Sequence, residues 1–340
     1  MNSSTFNSDK ADSAQAHFTL QNLSPLLLIA VVATAIECFA YLCLGTVQNE
    51  RIIIPKPHRH PNLAETIIQA KVDSVIQGRR KVDLIVLGDS SGLMGVDSRL
   101  LAQQTGRTNY NLCTIGYVGV EGHVLLLEAY IAKHGVPSAV IYHFAPRVMP
   151  FTHTYLERIG WLSRLKGALN IEDPSYVLPS QRYRDIARRL IVPEGIYDDV
   201  PRGRWPSHSE TLKILANNDG YMPEIGISDW KASPIVSGTV SSFQRQSLRR
   251  LVELSRRLGF KLYLIANPLP LIARTSANLA AMQTLETEIA NIAQDNRQAS
   301  LYRPFSRFYA DEQVVTANHL HPDAVPKNTA TISEWISMEE

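Results

Sequence analysis

The sequence predicts a three-layer α/β domain, with a parallel sheet between two layers of helices, joined to one membrane-spanning helix. Short apolar runs rich in β-branched residues alternate with helical patterns, the arrangement of a parallel sheet covered on both faces. One long apolar segment precedes them, and its length fits a bilayer. Hydrophobic residues make up 45% of the 340 residues, which is enough for a packed core.

Charge and cysteine content argue against a nucleic acid partner and against a disulfide framework. The formal net charge is +2, and no long basic run is interleaved with aromatic residues, so we expect no nucleic acid partner. The chain has 3 cysteines, too few for a disulfide framework. Two of them, Cys38 and Cys43, lie in the long apolar segment, so cysteine usage does not indicate a redox compartment.

The apolar segment at 23–47 predicts an uncleaved membrane anchor. It is long enough to cross about 30 Å of hydrocarbon as a helix, and Glu37 is its one charged residue. The tail before it, 1–22, is long and polar, unlike the short basic start of a cleaved signal peptide. The alternative is a buried helix of a soluble domain, but such helices are seldom apolar on every face over this length.

Charges around the span bear on its orientation and on a partner. Arg51, Lys56 and Arg59 follow it, which favours a cytoplasmic domain, although large domains cross membranes largely regardless of such a bias. Glu37 near the middle of the span costs about 2.5–3.5 kcal/mol on insertion scales. A partner embedded in the membrane would offset this cost, and the alternative is a protonated acid that the bilayer tolerates.

The folded domain is expected to fill 62–340. Residues 48–61 predict a tether, because Pro55, Pro57 and Pro61 oppose both helix and central strand. A helix at 62–77 follows, and then the first strand at 82–88, an apolar run that ends in glycine and is typical of a strand buried on both faces.

The remaining elements continue the alternation on either side of an insertion. The expected elements before the insertion are a helix near 97–104, a strand at 108–113, a helix at 121–134 and a strand at 139–144. The insertion at 151–240 is aromatic, rich in Arg and interrupted by Pro, with helical patterns near 179–192 and 207–217, and it predicts a cap or side wall. The expected elements after it are a helix at 241–258, a strand at 260–268, a helix at 276–296, a strand at 300–303 and a closing helix from about 323.

The first strand ends in a motif suited to nucleophilic chemistry. In an open parallel sheet, ligands bind beyond the carboxyl ends of the strands. The motif there is Gly88-Asp89-Ser90-Ser91-Gly92, which puts the Ser90 hydroxyl at a tight turn where backbone N–H groups converge. Ser90 is therefore a candidate nucleophile whose own N–H helps to hold an oxyanion. The alternative is an ordinary turn.

The same five residues fit G-x-S-x-G, the nucleophile elbow of the α/β-hydrolases, but several strands precede that elbow and here only a tether and one helix do.

Three further segments follow later strands. They are Asn111-Leu112-Cys113-Thr114-Ile115-Gly116, His143-Phe144-Ala145-Pro146-Arg147 and Thr316-Ala317-Asn318-His319-Leu320-His321-Pro322. In this order the four motifs resemble the SGNH (GDSL-type) hydrolases, over roughly 82–150 and 260–336. The resemblance implies a flavodoxin-like sheet and leaves the insertion unmatched.

The resemblance assigns roles to the polar residues beyond the strands. It implies that Ser90 is the nucleophile and that the N–H of Gly116 is a second oxyanion donor. The family carries Asn in its third block, and this sequence has none there. We therefore expect that His143 or Arg147 takes over that polar role, and the alternative is an incomplete oxyanion hole. Asp89 and Asn111 complete the candidate polar contacts with the substrate.

The family's Asp-x-x-His pattern, with His as base, is incomplete in this chain. Two histidines occur, and the residue three positions earlier is Thr316 for His319 and Asn318 for His321. The following proline favours His321, with Asn318 as the residue that orients it. The apolar face of the closing helix favours His319. That face consists of Val325, Thr329, Ile332 and Ile336. We rank His319 first.

The resemblance extends to membrane-anchored accessory proteins that O-acetylate bacterial surface polysaccharides. It implies an extracytoplasmic serine esterase or O-acyltransferase that acts on acyl esters of surface carbohydrate, with a membrane-embedded acyltransferase as partner through Glu37. The alternative is a protein of the same fold that has lost the triad and serves binding or assembly. No metal or organic cofactor is expected, because the two histidines lack further ligands at recognisable spacing.

Overall fold

The structure is a computed structural model of the 340-residue chain. It describes Val32, 46–48, 51–53, 63–78, 81–169, 171, 206–224, 234–316 and 318–339. The chain divides into two compact units, Met1–His60 and Pro61–Glu340. The described part of the first unit includes a short hairpin, in which Thr46–Gln48 pairs antiparallel with Arg51–Ile53.

The predicted membrane anchor lies outside the described residues, apart from Val32 and the first two residues of the hairpin. Among the residues that are described, no helix combines the length and apolar character needed to cross a bilayer. The helical pattern near 179–192 also lies outside the described residues. The anchor therefore stays a prediction.

A parallel sheet forms the centre of the second unit. Its described strands are β1 (Leu84–Gly88), β2 (Asn109–Asn111), β3 (Ala139–Phe144), β4 (Lys261–Ala266) and β5 (Ala299–Leu301). Their order is β2-β1-β3-β4-β5, and every pair is parallel. The strand order reverses between β1 and β3, and ligands of open parallel sheets bind beyond the carboxyl ends of the strands at such a point.

Helices surround the sheet. Those described are α1 (Leu63–Gln77), α2 (Ser90–Gly95), α3 (Ser98–Thr105), α4 (Gly119–His134), α5 (His153–Ile159), α6 (Trp161–Ala168), α7 (His208–Asn217), α8 (Ser242–Leu258), α9 (Ser276–Ala293) and α10 (Val325–Glu339). α4, α8 and α9 bury their apolar residues in one core cluster, and α2, α3 and α10 bury theirs in another.

The two core clusters lie on opposite faces of the sheet. Along β1, Ile85 and Leu87 belong to the cluster with α4, whereas Leu84 and Val86 belong to the cluster with α10. Successive side chains of a strand point to opposite faces, so a strand covered on both sides must be apolar at every position. All five residues of β1 are buried accordingly. The predicted α/β architecture with a parallel sheet is confirmed, and its layering is consistent with three layers.

The insertion covers one edge of the sheet. Its helices α5 and α6 lack a prediction from the sequence, whereas α7 matches the helical pattern expected near 207–217. A turn follows α7, and the backbone of Asn111 in edge strand β2 donates a hydrogen bond of 2.9 Å to the carbonyl of Asp219 in this turn. Pairing of this kind protects an edge that would otherwise be open to other chains.

Candidate active site

Ser90 lies where the sequence predicts, at the tight turn after β1. It is the first residue of α2, and Asp89 caps this helix by accepting a hydrogen bond from the backbone N–H of Ser91. The short helix α2 has no counterpart among the predicted elements. Ser90 is partly exposed, whereas the residues on either side of it are buried. Ser90 therefore lies partly exposed at the carboxyl edge of the sheet.

Asp89 is a structural residue rather than the substrate contact that the sequence suggested. Its side chain is buried, and its two carboxylate oxygens accept hydrogen bonds of 2.8 Å each from the N–H groups of Ser91 and Ala145. These bonds join the loop after β1 to the loop after β3. Burial raises the pKa of Asp89, and the hydrogen bonds oppose that shift.

His319 is the histidine that reaches the serine. Its Nε2 lies 2.9 Å from the Oγ of Ser90. His319 stands on a short strand, His319–Leu320, that pairs antiparallel with Val314–Thr316 just before α10. A nitrogen at this distance can accept the hydroxyl proton of Ser90.

Glu224 completes the arrangement from the other side of the imidazole. Its Oε2 lies 2.6 Å from the Nδ1 of His319, at ion-pair distance. The Glu224 side chain is 2% exposed and that of His319 is 16% exposed, so solvent screens this contact weakly. Serine, histidine and a carboxylate in contact in this order have the arrangement of a nucleophile, its base and the group that orients the base.

Two backbone N–H groups are available to hold a negatively charged oxygen. Gly116 begins a short 3₁₀ turn, and a Cβ atom added to it would lie 3.7 Å from the Cβ of Asp89, so this glycine adjoins the Ser90 loop. Within the part of the chain that the structure describes, neither Ser90 nor Gly116 uses its N–H in a hydrogen bond to the protein. Donors without an internal partner can serve an oxyanion.

His143 and Asn111 are buried and bonded to protein, which corrects their assignment as substrate contacts. His143 Nδ1 lies 3.1 Å from the Oγ of Ser91, and burial lowers the pKa of His143 to about 3, so its ring is neutral. The side-chain amide of Asn111 donates to the carbonyls of Gly92 and Val96. Both residues support α2. Arg147 differs, since it is exposed in a 3₁₀ turn after β3.

His321 and Asn318 do not form the predicted pair. The Nδ1 of His321 accepts a hydrogen bond of 3.3 Å from the N–H of Asp323 and caps the turn before α10. The backbone N–H of Asn318 donates to Thr316 Oγ1, and its side-chain oxygen is buried without a hydrogen-bond partner in the described part of the chain. The side chain that contacts the Nδ1 of His319 is Glu224, a residue that the sequence analysis did not select.

Glu224 is the candidate site residue that the sequence analysis missed. It follows Tyr221, Met222 and Pro223 in the insertion, the part of the chain that the SGNH resemblance does not cover. No motif marks it, and several other acids lie nearby in sequence. The one available signal was the absence of an acid three residues before either histidine.

Among the described residues, no group of three or more His, Cys, Asp and Glu side chains is placed to hold a metal ion. Comparison of the chain with known protein families, curated proteins and solved structures found no match. The functional argument therefore rests on the geometry of Ser90, His319 and Glu224.

Proposed function

We propose that this protein is a serine esterase or O-acyltransferase, with Ser90 as nucleophile, His319 as base and Glu224 as the residue that orients the base. The observation that carries the proposal is the chain of two contacts, 2.9 Å from Ser90 Oγ to His319 Nε2 and 2.6 Å from His319 Nδ1 to Glu224 Oε2. Distances of this size permit proton transfer from the serine and stabilisation of the imidazolium that results.

The first half of the reaction forms an acyl-enzyme. Ser90 Oγ attacks the ester carbonyl carbon while its proton passes to His319 Nε2, and the carbonyl oxygen becomes an oxyanion. The N–H groups of Ser90 and Gly116 hold this oxygen. The tetrahedral intermediate then collapses, the bond to the leaving alkoxide breaks, and His319 returns the proton to that alkoxide. Glu224 stabilises the imidazolium during both steps.

The second half releases the acyl group. Water or a sugar hydroxyl gives its proton to His319 and attacks the acyl carbon, and the departing Ser90 Oγ recovers the proton. Water gives hydrolysis and a sugar hydroxyl gives transfer, so the acceptor that occupies the crevice decides between them. The resemblance to polysaccharide-modifying accessory proteins favours acyl esters of surface carbohydrate as the substrate class.

An aromatic surface beside Gly116 supports a carbohydrate acceptor. Tyr117 is 37% exposed and stacks on Phe151 with ring centroids 5.8 Å apart, and Phe151 contacts Tyr155 at 4.8 Å. Burial raises the pKa of Tyr155, and the positive charge of the exposed Arg147 opposes that shift. Aromatic faces with nearby hydrogen-bond donors suit a ring that is apolar on its faces and polar at its edge.

The membrane location belongs to the same proposal. The segment 23–47 would anchor the domain outside the cytoplasm, where surface glycans are modified, and Glu37 would contact a membrane-embedded acyltransferase. Affinity purification from cells tests the second point. A membrane protein should co-purify with the wild-type chain and be lost with Glu37→Leu, and unchanged recovery would leave Glu37 as an acid that the bilayer tolerates.

The proposed activity is tested with the purified full-length chain. Wild-type protein should hydrolyse a chromogenic acetyl ester and react with a fluorophosphonate, and Ser90→Ala should abolish both. Ser91→Ala is the matched control, because Ser91 is buried beside His143 and its loss should be much milder. Full activity in Ser90→Ala would exclude the proposed nucleophile. A wild-type chain inert to both reagents would instead favour a role in binding or assembly.

A further inference from the structure

The position of Glu224 has to be set by neighbouring elements. Residues 221–224 lie in neither helix nor strand, and they follow directly on a turn at 218–220. Catalytic side chains must keep their geometry closely, since a misplacement of about 1 Å can lower a rate about 10²-fold. The contacts that hold this segment, which we call the acid segment (218–224), are therefore part of the site.

Backbone hydrogen bonds attach the acid segment to the sheet and to the nucleophile's helix. The carbonyl of Asp219 accepts a bond of 2.9 Å from the N–H of Asn111 in β2. The N–H of Met222 donates a bond of 3.1 Å to the carbonyl of Leu93 in α2. The acid segment is thus fixed to the edge strand at its start and to α2 two residues before Glu224.

Lys71 bridges the acid segment and β2 from α1. Its Nζ donates to the carbonyl of Asn111 at 2.5 Å and to the carbonyl of Gly220 at 2.6 Å. Lys71 is 0% exposed, and its ammonium lies 5.3 Å from the centre of the Tyr110 ring. The two carbonyls and the ring face compensate part of the cost of burying a cation.

Asn111 extends this bridge to the nucleophile. Its side-chain amide donates to the carbonyls of Gly92 and Val96, at 2.9 Å and 3.1 Å, and so supports α2, which begins at Ser90. Its backbone N–H donates a hydrogen bond to the carbonyl of Asp219, and its carbonyl accepts one from Lys71 Nζ. One residue thus connects the helix that presents the nucleophile with the segment that presents the acid.

Gly220 lies close to the backbone of β2 and to the amino group of Lys71. Its φ is +85°, in the left-handed region that favours glycine. A Cβ atom at this position would lie 2.2 Å from the carbonyl oxygen of Asn111 and 2.9 Å from Lys71 Nζ. Any side chain here would push the acid segment away from β2 and from the ammonium group.

Burying the charged form of Lys71 costs free energy of folding. Burial lowers the pKa of Lys71 to about 7, because the charged form loses its hydration. An apolar side chain of similar length would fill the same position in the packing between α1 and β2 without this cost. What an apolar side chain cannot supply is two hydrogen bonds that hold the carbonyls of Asn111 and Gly220 together.

We propose that Lys71 is a positioning residue for Glu224, acting through the carbonyl groups of Asn111 and Gly220. The inference rests on the proposed function, because it gives Lys71 a role in the reaction only through the acid that orients His319. Lys71 itself touches neither the nucleophile nor the base.

The test is a double-mutant cycle on the full-length chain between Lys71→Met and Glu224→Gln, read as ester hydrolysis and as the rate of fluorophosphonate labelling. Lys71→Met alone should lower both rates about 10–100-fold. In the Glu224→Gln background the same change should cost less than about threefold, because residues that act as a unit are not additive. A residue that merely maintains the fold would lower the rate equally in both backgrounds.

A second readout does not depend on activity. Hydrogen exchange at the N–H groups of Asn111 and Met222 should become faster in Lys71→Met. Lys133→Met is the matched control, since Lys133 is exposed on α4 and its loss should change neither exchange nor rate. Gly220→Ala disturbs the same bridge from the other side and should show the same coupling to Glu224→Gln if Lys71→Met fails to fold.

Equal rate losses in both backgrounds, or unchanged exchange in the acid segment, would overturn the proposal. Failure of the proposed function has a different signature, since a wild-type chain inert to esters and fluorophosphonate would give no rates to compare. The exchange measurement would still report whether Lys71 holds the acid segment in place.

Discussion

Replacing Glu224 by glutamine should remove most of the activity while leaving the fold intact. Glutamine has nearly the same shape as glutamate, but its amide carries no charge. An amide N–H facing Nδ1 of His319 would also favour the tautomer with the proton on Nε2, the atom that has to accept the proton of Ser90. The variant therefore loses both the charge next to the imidazolium and control over the tautomer.

The size of the loss follows from the contact distance. Two unit charges at the 2.6 Å between Glu224 Oε2 and His319 Nδ1 attract by about 6 kcal/mol at an effective dielectric constant of about 20. At about 1.4 kcal/mol for each factor of ten in rate, this corresponds to about 10⁴-fold. Glutamine keeps most of the packing around position 224, so we expect kcat to fall between about 10²- and 10⁴-fold.

The assay compares kcat and kcat/KM for a chromogenic acetyl ester in Glu224→Gln, Glu224→Asp and Glu334→Gln. Glu334 is exposed on α10 and supplies a matched control for loss of one carboxylate. Glu224→Asp keeps the charge but moves it away from His319, so its rate should lie between those of the wild type and Glu224→Gln. Thermal unfolding of each variant separates a catalytic loss from a loss of folded protein.

One outcome would refute the reasoning about the acid. If Glu224→Gln stays within about threefold of the wild type while Ser90→Ala is inactive, Glu224 does not orient the base and the nucleophile acts without it. A fall in kcat/KM that comes from KM alone would also contradict the argument, because stabilisation of an imidazolium acts on the chemical step.

Three further predictions concern the base, the buried lysine and topology. His319→Ala should lower kcat at least about 10²-fold, whereas His321→Ala should stay near wild type because its ring caps a turn. The reverse order would favour His321. The pKa of Lys71 is about 7 in the native state, against 10.5 for a fully hydrated lysine, so between these values the unfolded chain binds more protons and stability rises with pH. From pH 7 to 9, urea unfolding should show the wild type gaining about 2 kcal/mol relative to Lys71→Met, and a flat difference would contradict the lowered pKa of Lys71. Alkaline phosphatase fused after residue 340 should be active, and an inactive fusion with a fluorescent cytoplasmic reporter would place the domain inside.

The central strands β1 and β3 were predictable because they are buried on both faces. β3 has the predicted bounds, and β1 lies inside its predicted range, since short and mostly apolar runs of this kind are typical of strands buried on both faces. The short helix α2 was not predicted. It is six residues long, with Gly at its third and last positions, and its start is set by the Asp89 cap rather than by apolar periodicity.

The nucleophile and base were within reach of sequence reasoning, because each lies next to an element with a clear pattern. Ser90 follows the first strand, and His319 precedes a helix whose apolar face fixes the register. That face is buried as expected, at Val325, Thr329, Ile332 and Ile336. A two-residue slip would turn it by about 200° away from the core, so the same packing that places the helix places His319.

The polar residues at the strand ends were misassigned for a common reason. Asp89, Asn111 and His143 stand where a substrate contact would be sought, but tight loops also have backbone N–H and C=O groups that need partners. Sequence alone does not separate these two uses of a polar side chain. Burial does, and it assigns all three to the support of α2 and the adjoining loops.

Glu224 differs from Ser90 and His319 in the part of the chain that supplies it, because it comes from the insertion. In the pattern that the sequence resembles, the acid and base share one loop, so a single loop conformation sets their distance. Here Glu224 comes from the insertion and His319 from the segment before α10, and their distance depends on how the acid segment is held against β2 and α2. An edge strand normally needs protection, and covering β2 with the acid segment supplies it. The same hydrogen bonds thus cover part of the edge of β2 and hold the segment that carries the carboxylate, so under the proposed function the insertion contributes to catalysis and is not only a wall beside the site.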